Sequence, residues 1–177
     1  MKKILFTTLV IMLFLATTGA VYASPPNSRS TIFVAQLTGA DEVPPRATDA
    51  YGITVLSLKS TGTDLRYKLA VADISNVVAA HIHCGAPGVN GPVGVTLYHG
   101  SAPGSGPVDG VIASGTKTAP DAGNGCGWAT LADVIAAMRS GNTYVNVHTN
   151  DGVAPTNTGP GDFPGGEIRG QVLEQGQ

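Results

Sequence analysis

The stretch DLRYKLAVA, Asp64 to Ala72, decides how this chain folds. Leu65, Tyr67, Leu69 and Val71 alternate with polar positions that include Arg66 and Lys68. In an extended segment, that alternation sends four apolar side chains to one face and the cations to the other. The period predicts a half-buried strand.

Reading outward, similar runs recur between clusters of Gly, Pro, Asn and Asp: Thr31–Thr38, Gly52–Lys59, Val77–Cys84, Val93–His99, Thr143–Thr149 and Glu167–Leu173. Many short strands at this spacing predict an all-β sandwich or barrel. One segment breaks the pattern. In TLADVIAAMRSG, Thr130–Gly141, Leu131, Val134, Ile135 and Met138 keep helical spacing, Thr130 and Asp133 form a capping-box pattern, and Gly141 supplies a stop. This predicts one short helix packed against the end of the sheet. Two long connections, Gly100–Gly127 and Asn150–Gly166, are rich in Gly and Pro, and segments of that length are usually functional or pinned by a crosslink.

The first residues have a different character. MKKILFTTLVIMLFLATTGAVYAS places Lys2 and Lys3 before an apolar run and ends on small residues around Ala23, the pattern of a signal peptide over residues 1–23. A flexible lead-in follows at residues 24–30, then a single domain over 31–177. The reading predicts a secreted or periplasmic protein with no membrane span after cleavage. Without Lys2 and Lys3 the formal charge moves from −2 to −4. No basic cluster is present, which argues against a nucleic-acid partner. In an exported chain the two cysteines, Cys84 and Cys126, are expected to form a disulfide, with free thiols or cysteine metal ligands as the alternatives.

The same parity gives the histidines directions. In VVAAHIHC, Val78, Ala80 and Ile82 share the core face, which sends His81 and His83 out by the other. Cys84 points with Ile82, away from the two imidazoles. In TYVNVHT, Val145 and Val147 face inward, and Tyr144, Asn146 and His148 face the side opposite. In GEIRGQV, Ile168, Gly170 and Val172 face inward, and Glu167, Arg169 and Gln171 do not. Two imidazoles at i and i+2 stand about 7 Å apart at their Cα atoms, and a third from a neighbouring strand completes a set suited to copper. His99 has inward parity in VGVTLYHG and reaches a metal only if a bulge or the strand end turns it. The other reading leaves all four as solvent-facing or hydrogen-bonded histidines. No Gly-x-Ser-x-Gly elbow, His-Glu-x-x-His or phosphate loop is present, and PGDFPGGE, Pro160–Glu167, lacks the ligand count of a calcium loop.

Four motifs, in order, carry a family resemblance: LTGADEVPP (Leu37–Pro45), AAHIHCGAPGVNGPV (Ala79–Val93), YVNVHT (Tyr144–Thr149) and GGEIRGQV (Gly165–Val172). Together they resemble the chordin-type (CHRD) domain, found in chordin and in many exported bacterial proteins. The resemblance implies an immunoglobulin-like antiparallel sandwich or barrel and an extracellular binding or structural role, with an extracellular protein or the envelope as partner. A looser likeness is to the copper site of copper-zinc superoxide dismutases, an arrangement also built on an immunoglobulin-like sandwich. It implies His81, His83, His99 and His148 as copper ligands, Arg169 as a catalytic residue guiding a small anion such as superoxide, and copper-only dismutation as the activity. No zinc is expected, because Gly100–Gly127 offers Asp109 and Asp121 but no histidine. Arg169 in a salt bridge to Glu42 or Glu167 is the competing reading.

Overall fold

The computed structural model describes residues 30–100 and 102–176. The signal peptide expected over residues 1–23, and all of the lead-in except Ser30, lie outside them. The described chain forms nine strands and one α-helix in the order β1 (Thr31–Thr38), β2 (Tyr51–Leu58), β3 (Leu65–Ser75), β4 (Val77–Cys84), β5 (Val93–His99), β6 (Pro107–Lys117), α1 (Leu131–Arg139), β7 (Thr143–Thr149), β8 (Ile168–Gln171) and β9 (Leu173–Glu174). A 3₁₀ turn, Gly39–Asp41, follows β1.

All pairings are antiparallel, in the spatial order β5-β4-β7-β8-β1-β2-β3-β6, with β9 added to β1. The sheet curls until it is nearly closed, as the all-β reading requires. Its two ends, β5 and β6, are neighbours in sequence, and the Tyr67 hydroxyl donates to the Leu97 carbonyl across the gap at 2.8 Å. Leu65, Leu69 and Val71 of the opening stretch are buried in a core that also takes Phe33, Leu37, Leu56, Ile82, Val95, Val145 and Ile168.

The helix starts where its cap predicts. Thr130 accepts from the Asp133 backbone N–H, and the Asp133 carboxylate accepts from the Thr130 backbone N–H. Gly141 takes the left-handed conformation just past the end, at φ 70°. Leu131, Val134, Ile135 and Met138 are buried against the sheet.

Two expectations need correction. Residues 107–117 are a strand, β6, not part of an unstructured connection. Its sequence holds Pro107 and two glycines and is largely exposed, because an edge strand at the end of the sheet needs no alternating apolar face. In β4 it is Val77, 1 % exposed, that enters the core, while Val78 is half-buried. A bulge in the pairing with β7 between Val77 and Ala79 resets the parity, and Ala80 and Ile82 then face inward as expected.

Candidate metal centre

On the sheet face turned away from the core, β4, β7 and β8 lie side by side and place their residues in rows. His81 stands opposite Asn146, and Asn146 opposite Arg169; His83 stands opposite Tyr144, and Tyr144 opposite Gln171. Alternation alone would give these side chains to water. Instead the face is roofed, and His83, Tyr144, Asn146, Glu167 and Arg169 are all buried.

The loop between β4 and β5 forms one side of the roof. Gln171 Nε2 donates to the Gly85 carbonyl at 2.9 Å, and Arg169 donates to the carbonyls of Ala86 and Val89 and to Asn90 Oδ1. The Tyr144 hydroxyl accepts from the Gly91 N–H and donates to the Gly91 carbonyl. Gly91 packs directly on the Cys84 carbonyl, where a Cβ would collide with it. The Cys84–Cys126 disulfide forms as expected, with Cα atoms 5.8 Å apart, and fastens the Gly100–Gly127 connection beside this loop.

The connection between β7 and β8 forms the other side. Glu167 is wholly buried and accepts from Thr48 Oγ1, Thr149 Oγ1 and the Gly161 N–H at 2.7, 2.7 and 2.8 Å. Thr149 Oγ1 also accepts from the Phe163 N–H. These bonds set where the Pro164 carbonyl lies.

Under this roof three imidazoles converge. One ring nitrogen each from His81, His83 and His148 lies within 4.8 Å of the others. The outer carbonyls assign the tautomers. His83 Nδ1 lies 2.9 Å from the Gly91 carbonyl and His148 Nδ1 lies 2.9 Å from the Pro164 carbonyl. A carbonyl only accepts, so both Nδ1 atoms carry hydrogen and both Nε2 atoms present a lone pair. Fixing a ligand imidazole through its far nitrogen is how metal sites orient histidine. His148 Nε2 lies 3.1 Å from His81 Nδ1, and His83 Nε2 is buried with no hydrogen-bond partner. An orphaned basic nitrogen aimed at two other imidazole nitrogens fits a metal ion, and an all-imidazole donor set fits copper, zinc or nickel.

The surroundings keep these rings neutral. Burial lowers His81 and His83 to about 4, assisted for His81 by the charges of His148 and His83. For His83, the Gly91 hydrogen bond works against burial, and His148 and Arg169 add to the lowering. Burial likewise lowers His148 against its bond to Pro164. Neutral imidazoles at pH 7 are the form that binds metal.

His99 does not join the cluster. It ends β5 opposite Ala79 and is exposed, the strand end having overridden its inward parity. Arg169 is in the neighbourhood but is not a free charge at an open mouth. It is 1 % exposed, with its donors on the loop and its Cζ 3.4 Å from the centroid of the Tyr144 ring. His83 stacks on that same ring at 4.8 Å and 8°, so Arg169 acts on His83 through Tyr144 and the loop. Arg169 forms no ion pair with Glu42 or Glu167 within the described residues. Glu42, read from the sequence only as that partner, is buried beside Asn146, which donates to it; desolvation raises its pKa to about 7 against the opposing charges of Arg169 and Arg46.

Among the described residues no helix is long and apolar enough to cross a membrane. No curated protein and no solved structure matches the chain. The sequence profile of the CHRD domain matches residues 33–172, nearly the whole described sheet together with its roofing loops, and the chain therefore belongs to the CHRD domain family.

Proposed function

We propose that this is an exported copper-binding protein in which His81 Nδ1, His83 Nε2 and His148 Nε2 hold one ion. The observation that carries the reading is the buried, unpartnered Nε2 of His83, directed at the other two rings while a backbone carbonyl holds its far side. Bound copper supplies one-electron redox chemistry, and three protein ligands leave room for a small molecule. Superoxide is the substrate proposed for that position, with Arg169 contributing its charge through the buried neighbourhood and not by contact. The disulfide agrees with an extracellular or periplasmic site of action.

Copper titration followed by electron paramagnetic resonance tests the site. Wild type should give a tight, nitrogen-coordinated cupric signal that is lost in a His81→Ala, His148→Ala double variant; absence of that signal in wild type removes the proposal. Copper binding without faster superoxide decay removes only the dismutase part.

A second reading, a non-catalytic binding module, is favoured by a different face. Tyr51, Ile53 and Val55 of β2 and Val111 of β6 are exposed large apolar residues on the outer side of the sheet. Exposed apolar residues gathered on one face are typical of docking sites for an extracellular protein. An Ile53→Lys, Val111→Lys variant that keeps copper but loses retention on the cell envelope would support it.

A further inference from the structure

On β4 and β7, two side chains turned toward the roof carry a buried polar atom with no hydrogen-bond partner, Nε2 of His83 and Oδ1 of Asn146, while Asp162 Oδ1 and Arg46 Nε are unpartnered in the roof itself. The metal centre accounts for the first and leaves the second unexplained. Asn146 occupies the middle of the ligand set. It faces His81 across the β4–β7 ladder, His148 follows it by two residues on the same face, and Tyr144, on which His83 stacks, precedes it by two. Directly opposed residues in such a ladder have Cβ atoms about 5 Å apart, so Asn146 stands next to His81 on the face that carries the three imidazoles.

That amide is held in one orientation. Its Nδ2 donates to both carboxyl oxygens of Glu42 at 3.0 and 3.3 Å, which turns Oδ1 away from Glu42. Gly166 closes over the pair: a Cβ there would lie 2.5 Å from Nδ2, 2.6 Å from Oδ1 and 2.6 Å from Glu42 Oε1. Asn146 is 3 % exposed and Glu42 5 %, so bulk water does not satisfy the free acceptor. Unmet buried acceptors are costly and rare in native structures.

We infer that Asn146 is the positioning residue for a water molecule at the fourth metal position: Oδ1 accepts that water's hydrogen bond, and Glu42 fixes the amide by accepting from Nδ2. The inference rests on the reading of His81, His83 and His148 as a metal centre. It has a selective consequence. A fourth ligand that can donate a hydrogen bond, such as water or a hydroperoxide, is favoured over one that only accepts; superoxide therefore enters at the cost of the water's bond to Oδ1, and its protonated product regains that bond.

Azide, which cannot donate to Oδ1, is the probe. Its binding to the copper-loaded protein is followed by ligand-to-metal charge-transfer absorption. Asn146→Leu, close in volume but without the acceptor, should bind azide about tenfold more tightly than wild type, since the displaced water no longer loses a charge-assisted bond. The three-nitrogen cupric signal should be retained. Unchanged or weaker azide binding by the loaded variant overturns the inference. Pulsed electron paramagnetic resonance of the wild type in D₂O gives a second readout that does not depend on the variant folding: strongly coupled exchangeable deuterons are expected, and their absence overturns it. A wild type with no nitrogen-coordinated cupric signal overturns both this inference and the metal centre. A normal signal without deuterons, or with azide affinity indifferent to Asn146→Leu, overturns this inference alone.

Discussion

His83 is restrained on three sides: its Nδ1 by the Gly91 carbonyl, its ring by the stack on Tyr144, and its strand by the ladder to β7. Arg169 stands behind two of these restraints, gripping the loop that carries Gly91 and covering the Tyr144 ring. Replacing Arg169 with Ala should therefore weaken copper binding about tenfold, the lower range for loss of an outer-shell partner. Lysine, a single charge without the planar fork, should fall between Ala and wild type. Competition with a chelator of known affinity measures both, and an Arg169→Ala protein that holds copper like wild type would show that the clamp is ornamental. At this scale the sequence was informative about direction. Parity alone sent His81, His83 and His148 out of the core together. It was silent about the roof, because the bonds from Arg169 to Ala86 and from Glu167 to Thr48 join residues 83 and 119 positions apart. No local period encodes such contacts, so Arg169 read either as a free charge or as the ion-pair partner of Glu42 or Glu167.

Among the elements, β4 offers a direct check on how the sheet sets its register. If the bulge places Val77 in the core, Val77→Ala should cost about 2 kcal/mol, within the range for removing buried aliphatic volume. Val78→Ala, at a half-buried position, should cost less than half as much. Equilibrium urea unfolding compares them, and equal costs would speak against the register described. In α1, Thr130→Ala breaks the reciprocal cap and should cost about 1 kcal/mol. Elements with a strong period of their own were legible: β1, β4, β5 and β7 have the bounds their sequences predict. β6 was not, since PVDGVIASGTK is an exposed edge with a left-handed Gly110, φ 92°, and its partner β3 supplies most of the order. The bulge in β4 escaped for a related reason, because Val77 and Val78 are chemically identical and only pairing with β7 chooses between them.

For the molecule as a whole, stability depends on the crosslink and on pH. Cys84 and Cys126 lie 42 residues apart, and the chain-entropy account gives roughly 4 kcal/mol for a loop of that size. A Cys84→Ser, Cys126→Ser protein should lose up to that much in urea. In the metal-free protein, His81 and His83 titrate at about 4 when folded and at 6.5 when not. Between those values the unfolded chain binds protons that the folded chain refuses, so stability falls as pH drops from 6.5 toward 4. His148 acts in the same direction. Glu42 opposes them: its folded pKa of about 7 exceeds 4.5, so its contribution declines as pH rises through that interval. Three imidazoles outweigh one carboxyl, and the urea midpoint in chelator should be lower at pH 4.5 than at 6.5; a flat profile would contradict the burial of these rings. Saturating copper should raise the midpoint at neutral pH, because the ion binds only the folded state. The ligands also differ in when they meet. His81 and His83 share a strand, but His148 lies 67 residues after His81 and reaches it only once β7 has zipped onto β4 across the intervening β5, β6 and α1. Such distant pairings close late in folding. The centre does not exist on an unfinished chain, so its metal is drawn from whichever compartment the chain folds in, and the address at which folding ends selects the ion as much as the donor set does.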